Sequence, residues 1–367
     1  MTEKSRSGLE QVLPLPRQVT LFVAWPCNLR CKVCGLYGVA EYVPRYMERS
    51  SPQYMSWEIF ERVIDPIAAV AASPAVTFIG GEPTLHPKLV DMVRYVKQRA
   101  DAHVDMCTNG TQIVRIGDAL VDAGIDEVHV SIDGSSAEVN DRGRGAGSFA
   151  QALDGLRLLV KLRDRRGQGP KVKINCTVTR ENYDDILATA ELADAEGVDE
   201  VFFSLPIFVT EAEGTGACRA LEPLGFDFRS WRGLLIDQTI EGIDVARLEK
   251  QLAMVAERRG GARAFVLPPG YRPDELRAYF GEGWPGLLHQ SSCPVQAFRT
   301  SVLPNGDVTP CTPFPDVVIG NIATQTLEQV WRSERYDRFR ELVGERLLPV
   351  CHRCCELFGE DQGSSTG

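Results

Sequence analysis

Cys27-Asn28-Leu29-Arg30-Cys31-Lys32-Val33-Cys34 sets three cysteines at a Cys-x3-Cys-x2-Cys spacing, directly after the apolar run Val19 to Ala24. Thiolates are soft ligands that select iron-sulfur clusters or zinc. Three of them within eight residues can hold three corners of a 4Fe-4S cube, and the stretch is too short to supply a fourth. One iron is then left open, as reactive metal sites keep it and structural ones do not. A zinc knuckle, or three unrelated buried cysteines, also satisfies the spacing alone.

A second stretch bears on that choice. Gly80-Gly81-Glu82-Pro83 follows the apolar run Ala75 to Ile79, which reads as a short buried strand ending in a glycine turn. The glycines allow a ligand close to the backbone, and Glu82 offers a fixed acceptor for an ammonium group.

Together the two stretches resemble the radical SAM superfamily, whose signature CxxxCxΦC takes an aromatic or apolar residue at Φ, here Val33. The resemblance implies a [4Fe-4S] cluster held by Cys27, Cys31 and Cys34, with S-adenosylmethionine (SAM) chelated at the open iron. It implies that Gly80, Gly81 and Glu82 receive the amino group of SAM, and Val33 is counted with them among the cofactor-binding positions. The implied activity is reductive cleavage of SAM to methionine and a 5'-deoxyadenosyl radical that removes hydrogen from an unactivated carbon. An external one-electron donor such as flavodoxin or ferredoxin would supply the electron.

Outward from these motifs, strand and helix signals alternate. Strands are expected at 19–24, 75–79, 103–108, 127–132, 171–178 and 199–205, and helices at 57–71, 87–100, 111–123, 147–165 and 183–196. Strands separated by helices make parallel βαβ units with right-handed crossovers. Six strands match the α/β, partial (β/α)6 barrel that the resemblance implies, although the pattern also permits an open doubly wound sheet. Either way, ligands gather where the strands end. The expected division is an N-terminal extension over 1–17, the barrel over 18–210, a sixth helix and insertion over 211–290, an auxiliary-cluster module over 291–358 and a disordered tail over 359–367.

Alternation along two strands selects what faces the site. In 128–133 it leaves His129, Ser131 and Asp133 on the face away from the helices, and in 172–178 it leaves Lys173, Asn175 and Thr177 there. Such polar groups suit a barrel wrapped around a polar ligand rather than an ordinary core. Ser131 and Asn175 are therefore expected at SAM, and Asp133 at SAM or substrate as a catalytic group. Arg144 lies in a glycine-rich stretch, read as a flexible loop, that resembles a segment found after this strand in relatives.

Near the C-terminus, Phe298 to Leu303 and Val308 to Cys311 read as a hairpin around Asn305-Gly306. A helix across Leu327 to Leu342 follows, then Cys351-His352-Arg353-Cys354-Cys355. This pattern resembles the SPASM/twitch extension of radical SAM enzymes, in the shorter twitch form with one auxiliary [4Fe-4S] cluster. By that resemblance Cys293, Cys311, Cys351 and Cys354 are its ligands; a structural zinc with four thiolates fits the same set. Of the cysteines left over, Cys218 and Cys355 are candidate hydrogen donors to a substrate radical, and Cys176 reads as a buried shell residue.

The bulk properties exclude other classes. A formal charge of -10 argues against a nucleic-acid surface. The five basic residues from Arg157 to Arg166 read as a solvated helix face. No apolar stretch is clean enough to span a membrane or act as a secretory signal, and eleven cysteines in a chain without such a signal point to metal or redox chemistry in the cytoplasm. The expected substrate is a carbohydrate-like natural product that is epimerised or dehydrogenated. A ribosomally made peptide is the alternative, set against only 26 residues preceding Cys27, and a non-catalytic iron-sulfur or zinc protein is the rival from another class.

Overall fold

The fold is seen in a computed structural model that describes residues 12–36, 52–70, 73–234, 240–268, 273–281 and 291–355. Most of the N-terminal extension, the stretch 37–51 and the tail over 359–367 lie outside the described residues.

Strands β1 (Gln18–Ala24), β2 (Ala75–Gly80), β3 (His103–Thr108), β4 (Glu127–Ser131), β5 (Lys171–Thr177) and β6 (Glu200–Ser204) pair in parallel in chain order. Helices α1 (Trp57–Val70), α2 (Leu89–Arg99), α3 (Ile113–Asp122), α4 (Ala137–Arg144), α5 (Ser148–Arg166) and α6 (Ile186–Ala195) fall between them. Val128 and Val130 of β4, Val172 and Ile174 of β5, and Val201 and Phe203 of β6 are fully buried in the main hydrophobic core. Each such side chain contributes about 1.5–3 kcal/mol.

The opposite faces of β4 and β5 are polar, as alternation predicted, while β6 also sets Phe202 there against His129 and Lys173. Lys173 sits between Glu127 at 2.5 Å and Glu200 at 2.8 Å. Burial works against the Glu127 charge, but His129 and Lys173 outweigh it and hold the carboxyl down at about 2.

Three features differ from the sequence expectation. The short run Arg263–Leu267 is a seventh parallel strand, β7, beside β6; five residues flanked by loops carry too weak a pattern to be read as part of a sheet. It follows α7 (Glu211–Leu221) and α8 (Val245–Ala256), and α9 (Pro273–Phe280) comes after it. Second, the C-terminal hairpin, β8 (Arg299–Val302) and β9 (Asp307–Thr309), is not a separate appendage. β8 pairs in parallel with β1, with Gln18 opposite Arg299, and one ten-stranded sheet ends at β10 (Gly320–Asn321). Gly306 closes the hairpin at φ 86°, a conformation that disfavours other residues.

Third, two helical segments differ from the expected ones. The stretch around Arg144 is α4, not a flexible loop: the Ser136 hydroxyl accepts Val139 N–H at its start and Gly145 ends it at φ 108°. The single helix expected over 327–342 is α10 (Leu327–Trp331) and α11 (Glu334–Glu345). Ser333 breaks the run because its hydroxyl caps Tyr336 N–H and starts a new helix. No helix among the described residues is long and apolar enough to cross a membrane.

Candidate functional site

The C-terminal ends of β1 to β5 open into a cavity of about 410 Å³ whose wall includes Cys27, Cys31 and Cys34. Backbone contacts fix the cysteine loop over the strand ends. Gly81 N–H donates to Ala24 O at 2.7 Å, Glu82 N–H to Pro26 O at 2.9 Å and Lys32 N–H to Gly143 O at 2.9 Å. The glycines also serve the chain's own packing. A Cβ on Gly80 would lie 2.1 Å from Ala24 O, and one on Gly81 2.0 Å from Trp25 O. They allow β2 to end against the backbone entering the cysteine loop, and both also line the cavity.

Glu82 lines it too but is 1% exposed and already engaged. Its Oε1 accepts Thr84 N–H at 3.0 Å, the Thr84 hydroxyl at 2.5 Å and the Thr108 hydroxyl at 2.6 Å. Its Oε2 accepts Asn109 N–H at 2.7 Å. Burial pushes this carboxyl up, and the four donors pull against it. Glu82 is thus a tie between the ends of β2 and β3, with Oε2 the oxygen that retains room for a ligand donor. Asn109 extends the tie, donating from Nδ2 to Asn28 Oδ1 at 2.9 Å and to Cys27 Sγ at 3.8 Å.

Val33 and Ser131 line the cavity as expected of residues that face a ligand there. Asp133 does not. Its Oδ2 lies 2.5 Å from Arg144 Nε and its Oδ1 accepts Thr177 N–H at 2.8 Å. It is spent on holding Arg144, which lines the cavity in its place. Asn175 is in register with Ser131 but does not line the cavity: its Oδ1 meets His129 Nδ1 at 3.3 Å and its Nδ2 donates to Cys107 Sγ at 3.6 Å. The residue that reaches the cavity from there is Cys107, which sequence reasoning left unassigned. Its signal was the alternation of β3, which puts it on the same face as Asp105.

The other two thiols fall elsewhere. Cys218 lies in α7 rather than in irregular chain, and its Sγ donates to Phe228 O at 3.0 Å. Cys355 follows the C-terminal cysteines but, like Cys218, lines neither of the two cysteine cavities.

The second cavity brings together Cys293, Cys311, and the pair Cys351 and Cys354 from a single turn. Val343 O accepts Cys293 N–H at 3.2 Å, and Cys351 O accepts Cys354 N–H at 3.1 Å. The wall is mostly apolar, with Phe314, Phe339, Val343 and Val350 among the lining side chains. Burial, and then the neighbouring Cys293, push the Cys351 thiol up to about 12. In the first cavity burial raises Cys31 to about 11 while the Arg144 charge pulls it down. Metal binding would displace the proton in either place. As donor sets, three thiols beside an open space and four thiols in a closed one suit an open and a closed iron-sulfur cluster. Thr312 and Pro313 line both cavities and are the partition between them.

Comparison with known proteins agrees with this division. Residues 27–193 match the radical SAM superfamily and residues 293–355 match the SPASM iron-sulfur cluster-binding domain. The chain is 31% identical over 347 residues to an AdoMet-dependent heme synthase of Methanosarcina barkeri, covering 92% of this chain and 88% of that one. It is 24% identical over 370 residues to a PqqA peptide cyclase of Ruegeria pomeroyi, covering 96% and 83%. The crystal structure of Streptococcus suis SuiB bound to its precursor peptide SuiA shares the fold at a TM-score of 0.63 and 16% identity, over 90% of this chain and 67% of that one.

Proposed function

This chain belongs to the radical SAM superfamily and ends in a SPASM domain, and from that premise we propose that it oxidises an unactivated carbon of a peptide substrate held between its two cysteine sites. The cofactors of such an enzyme are SAM, a SAM-binding 4Fe-4S cluster and an auxiliary iron-sulfur cluster, which replace the zinc alternatives. When bound, they supply a 5'-deoxyadenosyl radical and a nearby electron acceptor. Cys27, Cys31 and Cys34 would hold the first cluster, and Cys293, Cys311, Cys351 and Cys354 would hold the second. Glu82 holds the strand ends that receive the amino group of SAM, and Arg144 offers the cavity's cation beside them.

The observation that carries this reading is the shared wall. Thr312, Pro313 and Pro315 of the auxiliary module, Ser230 and Leu234 of the insertion, and the three N-terminal cysteines all border one space. A substrate there lies beside both cofactors, with water kept out by its own bulk. Among the described lining residues, Arg144 is the one side-chain cation, and Asp133 already neutralises it. A mostly apolar wall with uncharged Ser, Thr and Asn suits a peptide side chain better than a hydroxyl-rich sugar, which needs many paired donors and acceptors. We therefore set the carbohydrate-like substrate aside. Cys218 and Cys355, the expected hydrogen donors, do not border the space, so epimerisation would have to run through Cys107, the free thiol outside the cluster set that does. We place the enzyme in the cytoplasm, where eleven free thiols stay reduced.

The identity to the heme synthase over nearly the whole chain favours a second reading, in which the substrate is a tetrapyrrole. One assay separates them. Reduced, anaerobically reconstituted enzyme is given SAM with peptides encoded beside its gene, or with iron-coproporphyrin. The peptide reading expects 5'-deoxyadenosine and a peptide lighter by two hydrogens. Turnover with the porphyrin alone would replace it by the second reading. No 5'-deoxyadenosine under any condition would remove both.

A further inference from the structure

The segment Phe228 to Leu234 joins the two cysteine modules. At one end, Asp316 Oδ2 accepts the amides of Arg229 and Ser230, each at 2.7 Å, and its Oδ1 accepts the Ser230 hydroxyl at 2.6 Å. Phe228 meets Phe314 edge-on at 4.7 Å beside these bonds. At the other end, a Cβ on Gly233 would lie 2.4 Å from Gly35 O, so the segment touches backbone directly after Cys34. In the middle Trp231 is 1% exposed, and its ring occupies the space where a Cβ on Gly214 would come within 2.2 Å. Ser230 and Leu234 form part of the first cavity's wall, as does Pro315, the neighbour of Asp316.

These contacts make a strap pinned at both ends across the space where the substrate was placed above. The two pins differ. The Gly233 end is backbone against backbone. The Asp316 end is a single carboxylate whose burial raises its pKa against three donors. Removing that one side chain would free Arg229 and Ser230, with Phe228 still held by Phe314 and Cys218, and leave both sets of cysteines intact.

We propose that Asp316 is a positioning residue that keeps the strap shut over the radical cavity and so excludes foreign hydrogen donors. The proposal rests on the SAM chemistry proposed above. It differs from a merely structural role in one respect: loss of Asp316 should admit outside molecules to the reacting atom, not only lower the melting temperature.

The test uses the full reconstituted chain as wild type, Asp316→Ala and Asp316→Asn, with dithionite, SAM and perdeuterated glycerol but no substrate. A deuterium atom from a glycerol C–D bond would pass to the 5' carbon as a new C–D bond forms, leaving a glycerol carbon radical that takes one electron from dithionite and one proton from water to become a C–H bond. Mass spectrometry of 5'-deoxyadenosine reads the labelled share. Hydrogen–deuterium exchange of the Arg229 and Ser230 amides reads the strap independently. Asp316→Ala is expected to exchange there about tenfold faster and to raise the labelled share several-fold at unchanged iron content. Asp316→Asn, which keeps one acceptor oxygen, should fall between and serves if the alanine variant fails to take up iron. Unchanged exchange, or faster exchange with an unchanged labelled share, would overturn the proposal. A wild type that makes no 5'-deoxyadenosine would instead overturn the chemistry beneath it.

Discussion

The two cysteine cavities use the same ligand chemistry in opposite surroundings. The first is open, about 410 Å³, and bordered by strand ends, a buried carboxylate and an arginine. The second is enclosed by phenylalanine and valine side chains, with four thiols rather than three. A site that must admit a ligand needs space and polar groups at the metal's free corner, whereas one that only stores or passes an electron is better buried and saturated. The partition of Thr312 and Pro313 makes the two neighbours without merging them.

The largest effect should come from breaking each site in turn. Cys31→Ala is expected to abolish 5'-deoxyadenosine formation and to lose about four irons of about eight. Cys351→Ala should lose a similar amount yet retain SAM cleavage, failing only in product formation. Iron assay and chromatography of 5'-deoxyadenosine check both. Equal loss of SAM cleavage in the two variants would erase the functional distinction drawn between the cavities.

Next in size is Glu82→Ala, which strands Thr84 N–H, Asn109 N–H and two hydroxyls around a buried hole. Unsatisfied buried donors cost about 1–3 kcal/mol each. The ends of β2 and β3 would separate, and 5'-deoxyadenosine formation should fall by about a hundredfold through weaker SAM binding, measured by titrating the cluster spectrum with SAM. A Glu82→Ala protein that binds SAM normally would show that the open site does not depend on this tie.

How far the sequence discloses this arrangement depends on whether a feature is local. The three N-terminal cysteines, the Gly-Gly-Glu turn and the βαβ alternation are local patterns, and strands β1 to β6 appear within a few residues of where the pattern puts them. The pairing of β8 with β1 joins Arg299 to Gln18 across most of the chain, which periodicity cannot reveal. The same limit hid the partner of Asp133. Alternation put it on the inner face, but only the cap at Ser136 turned the next residues into a helix and brought Arg144 back onto it. Asn175 is on the expected face and in register with Ser131, but its amide is taken up by His129 and Cys107, partners from neighbouring strands that alternation along one strand does not reveal.

Arg144 offers a smaller effect that bears on the open cavity. Its side chain is 12% exposed and that of Asp133 5%, so Arg144→Ala leaves a buried carboxylate unpaired. Breaking a buried pair in this way costs about 3–5 kcal/mol, which a denaturant titration would show as a lower midpoint. Replacing both, Arg144→Met with Asp133→Leu, should recover much of that stability but not SAM cleavage. Recovery of cleavage as well would make the pair purely structural. Beneath the cavity, Glu127 adds a pH dependence. Its folded value of about 2 lies below the ordinary 4.5, so its contribution is complete above about pH 4.5 and is lost as the pH falls toward 2. Glu127→Gln should flatten the stability curve across that window.

The smallest effects concern the free thiols. Cys218→Ala removes one hydrogen bond to Phe228 O, worth about 1 kcal/mol, and should leave 5'-deoxyadenosine and product unchanged, since the thiol borders neither cavity. Cys107 differs in kind. It lines the open cavity with Ser131 Oγ 3.8 Å from its sulfur and Asn175 Nδ2 at 3.6 Å, and burial raises its pKa, so it stays a neutral thiol. If the product forms by oxidation alone, Cys107→Ala lowers turnover only through packing, and no deuterium enters the product carbon from deuterated water. Deuterium in that carbon, lost in Cys107→Ala and kept in Cys218→Ala, would show that the open cavity returns a hydrogen atom as well as removing one.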